Sequence, residues 1–191
     1  MKLFLFWICK DRYFIAKSGI FAKFAPMISL DQLLESRDKR ALYQRQILEK
    51  FPEGSLVCLT VQLPGSVKRD SRSLLVGGAG LAALLNRFGG LVSYAEVKDL
   101  ETGSEAYVMV ALQPLEAKRA CCRLEEEHPL GRLMDMDVVG REGPVSREQI
   151  GLPPRQCLLC SQTARYCMRA RTHTPEELQE KINQLINNFI Q

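Results

Sequence analysis

Two aspartates stand one residue apart in GRLMDMDVV (Gly131 to Val139), inside an otherwise apolar run. Residues two apart in an extended chain project from one face, so Asp135 and Asp137 would present their carboxylates together. Hard carboxylate oxygens suit Mg2+, and nucleotidyl- and phosphoryl-transferring enzymes use such pairs to hold that ion against a polyphosphate. The alternative is a solvated strand face, which is the commoner origin of this spacing. His128, seven residues upstream of Asp135, is one of only two histidines. It is either a proton acceptor or a turn residue ahead of Pro129.

A second cluster follows, with the spacing Cys157-x2-Cys160-x6-Cys167-x5-His173. Three thiols and an imidazole this close can enclose a tetrahedral, structural Zn2+; the alternative is three buried thiols beside a surface histidine. A redox C-x-x-C is disfavoured because no strand-then-helix context surrounds it. The same stretch, Leu152 to His173, carries Arg155, Arg165, Arg169 and Arg171 with no acidic residue. These are candidate phosphate ligands, set against a plain solvated basic surface. The glycines Gly78-x-Gly80-x-x-Ala83, with Glu96 beyond them, imitate a dinucleotide fingerprint but lack a full strand ahead. Close helix packing is the better reading.

The elements that must position these groups are legible from periodicity. At 191 residues, with 46% hydrophobic and 25% charged residues, the chain suits a single globular domain. The net charge of +4 and the lack of a long Lys/Arg block give no case for nucleic acid. Seven cysteines without a secretory signal point to a reducing, cytoplasmic setting. Residues 1–27 are aromatic and basic, but the first apolar run stops at Lys10, too short for a transmembrane segment. They read as a doubtful extension, either a membrane-surface helix or an early start with Met27 as the true one.

Residues 28–191 form the expected domain. An amphipathic helix capped by Ser29 opens it. From 55 to 139 the predicted order is strand (Ser55 to Leu63), helix, strand, strand, helix, strand. That is an α+β, ferredoxin-like βαββαβ core, with two helices on one face of an antiparallel sheet. The Cys/His-rich segment 152–173 and a C-terminal helix capped by Thr174 complete it.

These motifs together carry a resemblance. EHPLGRLMDMDV followed by LPPRQCLLCSQTARYCMRARTH closely resembles the apo-citrate lyase phosphoribosyl-dephospho-CoA transferase family, the holo-acyl-carrier-protein synthases of citrate lyase. RDKRALYQ (Arg37 to Gln44) and PGSVK (Pro64 to Lys68) also look like family motifs, and the similarity spans about residues 28–190. The resemblance implies a nucleotidyltransferase-type enzyme. It would move the phosphoribosyl-dephospho-CoA group from 2'-(5-triphosphoribosyl)-3'-dephospho-CoA to a serine of the acyl carrier subunit of citrate lyase, releasing pyrophosphate. Asp135 and Asp137 would then bind Mg2+, one of them accepting the serine proton. Lys68, Arg132, Arg155, Arg165, Arg169 and Arg171 would steady phosphates. Arg37, Arg40 and Gln44 match the helix motif without a readable role. The thiols are not needed for this chemistry and are assigned to support of the fold. Two alternatives stand beside this: the equivalent transferase of malonate decarboxylase, and a non-catalytic zinc-stabilised adaptor for the carrier.

Overall fold

The structure, a computed structural model, describes residues 27–191. The membrane-surface or early-start reading concerns a segment that lies, apart from Met27, outside the described residues. Helix α1 (Leu30–Lys50) starts at the expected cap: Ser29 accepts from the Gln32 N–H, and the Gln32 side chain returns to Ser29 N–H. Strand β1 (Ser55–Val61) ends two residues earlier than expected. Helix α2 (Ser71–Phe88) begins only after Asp70, which caps it through Ser73.

Strands β2 (Val92–Leu100) and β3 (Gly103–Val110) run further toward each other than the loop chemistry suggested, leaving Glu101 and Thr102 as the turn. Gly103 follows with φ of 115°, a conformation glycine adopts without strain. Helix α3 (Pro114–Glu127) and strand β4 (Met134–Gly140) follow, with Gly131–Leu133 forming a short 3-10 turn between them. Two elements escaped the sequence reading. Strand β5 (Gly143–Val145) is too short and too rich in Gly and Pro to show alternation, and helix α4 (Ala164–Ala170) lies within the Cys/His-rich segment. Helix α5 (Pro175–Ile190) closes the chain from its Thr174 cap.

The five strands form one antiparallel sheet in the order β2-β3-β1-β4-β5. One face is covered by α2, α3 and α5, whose Val76, Leu84, Cys121 and Ile182 pack with Val57, Val108, Met136 and Val138. On the other face, α1 sets Ile47 over Leu56, Cys58, Tyr107 and Met109. By length and composition the segment Ser71–Leu91 could cross a bilayer, but α2 spends Val76, Gly80, Leu84 and Phe88 on the sheet. Gly78 and Gly80 lie inside α2, not in a turn before it, so the dinucleotide geometry is absent. Gly80 instead permits close approach, since a Cβ there would come within 2.9 Å of Leu59.

The core dictates where the aspartates point. Met134, Met136 and Val138 are buried in the helix-covered layer, so alternation sends Asp135 and Asp137 to the α1 face. Gly131 sets the approach of β4 to α3: a Cβ there would lie 2.5 Å from the Leu124 carbonyl oxygen and 2.6 Å from that of Glu125. Gly131→Ala is therefore expected to lower stability by about 1–3 kcal/mol in thermal unfolding, because backbone must shift to admit it. Gly78→Ala meets nothing within 4 Å and is expected to raise stability by roughly 0.4–1 kcal/mol in the same assay.

Candidate functional site

Register places the two aspartates at the centre of the sheet's α1 face. Asp135 lies opposite Thr60, and Asp137 lies opposite Cys58. Asp135 is fixed on both oxygens: Gln62 Nε2 donates to Oδ2 at 2.7 Å, and Arg155 Nη1 stands 3.7 Å from Oδ1. Asp137, an exposed residue of the strand, holds no side-chain hydrogen bond among the described residues. Its carboxyl is pushed above the ordinary range, chiefly by desolvation among the surrounding groups and then by the Asp135 charge. Lys118, Arg40 and Arg155 oppose that rise.

The rows continue across the sheet. Glu105 lies opposite Thr60 and Tyr107 opposite Cys58, so β3 adds a carboxylate and a phenol to the same face. Glu105 is buried, with Arg40 Nε donating to Oε1 at 2.7 Å and the Tyr107 hydroxyl donating to Oε2. Desolvation would lower the Arg40 pKa, but Glu105 more than offsets it and the guanidinium is held charged. Gln44, one turn further along α1, lies near Cys58 and eases the rise of its thiol, which burial pushes up to about 12. That thiol is no nucleophile. RDKRALYQ, the exit of β1 and MDMD, far apart in sequence, therefore meet on one face. Sequence reasoning missed Gln62, Glu105 and Tyr107. The only available signal was a charged residue opening the apolar run EAYVMV.

The other expected residues divide. Lys68 donates to the Leu63 carbonyl at 2.8 Å, and burial and the Arg37 charge lower its pKa. Arg132 and Arg155 each commit one terminal nitrogen, Nη2, to main-chain carbonyls. Arg132 Nη2 donates to the carbonyls of Gln156 (2.6 Å) and Cys157 (3.2 Å). Arg155 Nη2 donates to those of Met134 (2.7 Å), Arg132 (3.0 Å) and Gly131 (3.2 Å). The two arginines thus clasp the Cys/His-rich segment onto the start of β4. Arg165, Arg169 and Arg171 are exposed on and just after α4. His128 caps the end of α3, where Nδ1 accepts from Leu130 N–H at 3.0 Å and the ring packs on Phe189 of α5. Phe189 belongs to the helix-covered core, so His128 sits across the sheet from the carboxylates.

The four cluster residues do converge. One ligand atom from each of Cys157, Cys160, Cys167 and His173 lies within 4.8 Å of the others. Cys160 and Cys167 sulfurs are 3.5 Å apart, and two sulfurs on one tetrahedral zinc stand about 3.8 Å apart given bonds of ~2.3 Å. His173 turns Nε2 to Cys160 Sγ at 3.3 Å, with Nδ1 on the side of Glu177, 4.0 Å from its carboxylate and beyond hydrogen-bond distance. Burial pushes the Cys157 thiol up, but peptide donors from Leu159 and Cys160 outweigh it and leave its pKa lowered. The donor set fits a soft divalent ion, and it holds α4 and the start of α5 to the loop before them.

The family described as apo-citrate lyase phosphoribosyl-dephospho-CoA transferase matches residues 28–189. A Streptococcus pyogenes serotype M18 protein is 35% identical, over 95% of this chain and 93% of its own length. A Vibrio cholerae serotype O1 protein is 38% identical, over 85% of this chain and 93% of its own. Both carry the description probable apo-citrate lyase phosphoribosyl-dephospho-CoA transferase.

Cys160→Ser is expected to abolish zinc binding measured by elemental analysis and to lower the unfolding temperature, as should a chelator on the parent protein. Unchanged zinc content in the variant would remove the cluster as its site. The raised carboxyl of Asp137 also predicts a pH effect. Between the ordinary carboxylate range and that raised value the folded state holds more protons than the unfolded, so stability falls as pH rises. Asp137→Asn should therefore be more stable than the parent at neutral pH, with the difference closing once pH falls below the ordinary range.

Proposed function

The chain belongs to the apo-citrate lyase phosphoribosyl-dephospho-CoA transferase family, and from that premise we propose a specific reaction. The enzyme joins the phosphoribosyl-dephospho-CoA part of 2'-(5-triphosphoribosyl)-3'-dephospho-CoA to a serine of the citrate lyase acyl carrier subunit. The serine oxygen forms a bond to the phosphorus that carries the ribose, the bond from that phosphorus to the outer two phosphates breaks, and pyrophosphate leaves. This is nucleotidyltransferase-type chemistry. The observation that carries it is the pair Asp135 and Asp137, side by side on a strand face that also gathers the α1 motif and the β1 exit.

The two carboxylates have different surroundings and, on this reading, different work. Asp135, fixed by Gln62 and facing Arg155, is a rigid oxygen ligand. Asp137, which holds no hydrogen bond among the described residues, keeps an oxygen free beside the metal site and is the group assigned to accept the serine proton. Together they would hold Mg2+, which when bound neutralises the phosphates and stabilises the leaving pyrophosphate. Lys68 and the exposed Arg165, Arg169 and Arg171 are assigned as phosphate contacts, with Arg132 and Arg155 chiefly holding the Cys/His-rich segment through their Nη2 groups.

Three finer readings belong with this proposal. The β1-α2-β2-β3-α3-β4 order with strands placed 2-3-1-4 is read as a ferredoxin-like core extended by β5. The Cys/His cluster is read as a structural zinc site. A cytoplasmic setting is supported by six free cysteines among the described residues.

The test is mass spectrometry of the apo carrier subunit after incubation with the protein, Mg2+ and the triphosphoribosyl cofactor. A gain equal to the prosthetic group, with stoichiometric pyrophosphate, is expected; Asp135→Asn and Asp137→Asn should each lose it while remaining folded. Binding of the carrier without any mass gain would favour the adaptor. Transfer only to the malonate decarboxylase carrier would reassign the acceptor. Full activity in both aspartate variants would remove the metal and base assignments.

A further inference from the structure

Arg40 is braced and only half used. Its Nε is committed to Glu105 Oε1 at 2.7 Å, and the Tyr107 hydroxyl occupies the other oxygen of that carboxylate. Its two Nη groups hold no hydrogen bond among the described residues, yet the side chain keeps 24% exposure. A guanidinium held at Nε by a buried carboxylate presents its Nη edge in a set orientation, which lowers the entropy lost when that edge takes an oxyanion.

Two further cations stand at the same end of the sheet. Arg37 lies three residues before Arg40, on the adjoining turn of the same helix stripe. It is exposed and in no ion pair among the described residues. Lys68 is tethered to Leu63, at the exit of β1 where Gln62 reaches Asp135, and it feels the Arg37 charge. Ser36, bonded to Thr102 at 2.9 Å, anchors this part of α1 over the β2–β3 turn. Glu105 pairs with Arg40, and Glu35 and Glu101 line the same cleft beside Lys39 and Lys98, but Arg37 and Lys68 have no carboxylate partner among the described residues and repel one another, a cost that a multiply charged anion relieves.

We infer that the Nη edge of Arg40, with Arg37 and Lys68, forms the subsite for the two phosphates that leave as pyrophosphate. The inference rests on the transferase reading and adds to it two residues of α1 that bind substrate. Glu105 is a positioning residue, acting through Arg40. The arrangement also orients the reaction: leaving phosphates lie toward α1, while the solvent-open Asp137 faces the incoming serine.

The experiment uses the full chain with Mg2+ and two readouts: calorimetric binding of inorganic tripolyphosphate, and separate KM values for the triphosphoribosyl cofactor and the carrier. Arg37→Ala and Arg40→Lys are each expected to weaken tripolyphosphate binding about tenfold or more and to raise the cofactor KM, leaving the carrier KM unchanged. Glu105→Gln should shift the cofactor KM in the same direction by less, and Arg123→Ala, exposed on α3, should shift nothing. Arg37 is exposed, so its variant reports on binding even if Arg40→Lys disturbs the fold. No tripolyphosphate binding by the parent, or parental affinity and cofactor KM in both arginine variants, would overturn the subsite. Failure of the parent to transfer any group to the carrier would instead overturn the transferase reading, with tripolyphosphate binding still deciding the subsite.

Discussion

Among the described residues no strand lies beside the outer edge of β4 between Met134 and Met136, and side chains take the peptide groups that a strand would pair. β5 reaches only Val138 to Gly140. Beyond it, Glu125 accepts from Met136 N–H at 2.8 Å, Lys118 donates to Met136 C=O at 3.0 Å, and Arg155 takes Met134 C=O. A buried peptide group left unpaired costs about 1–3 kcal/mol, so the start of β4 could not remain extended here without these partners. Glu125 and Lys118 are themselves buried, and burial pushes the Glu125 carboxyl up against the pull of Arg155, Met136 N–H and Lys118. Arg147, 3.2 Å from Glu125, completes the compensation.

The aspartate pair depends on that edge. With β4 extended as far as Met134, the pleat separates Met134, Met136 and Val138 from Asp135 and Asp137, and the methionines are locked in the core. A shift of one residue would bury the carboxylates and expose the methionines, which the core forbids. Edge side chains therefore hold register, and register aims the carboxylates. The Cys/His-rich segment enters the same system, because Arg155 both closes the edge and faces Asp135, while Arg132 returns the clasp to Gln156 and Cys157. A metal held by the cluster would stiffen the far side of the site without touching substrate.

The α1 face shows the complementary device. Helix α1 packs over β1, β2 and β3 but leaves β4 open, so the sheet face is part core and part solvent-facing floor. At the boundary stands the Arg40–Glu105–Tyr107 set, a buried carboxylate satisfied on both oxygens. Placing Asp135 and Asp137 beside each other costs electrostatic repulsion, which adds to desolvation in pushing the Asp137 carboxyl up. Such local cost at a site is compensated by the packing around it.

Sequence alone determined the elements with long periodicity or explicit caps: α1 from Ser29, α5 from Thr174, and the strand–helix–strand–strand–helix–strand order between 55 and 139. It also determined that Asp135 and Asp137 share a face and that four ligands stand close, since spacing in a strand or tight loop is local geometry. It could not show β5, whose three residues carry no pattern, nor that Arg132 and Arg155 donate to carbonyls. It could not place His128 across the sheet from the carboxylates. Nor could it bring Arg40, Glu105 and Gln62 beside MDMD. Those facts depend on strand order and on which face each helix covers, which long-range packing alone decides, because a side chain's partners follow from register between segments that sequence distance does not encode.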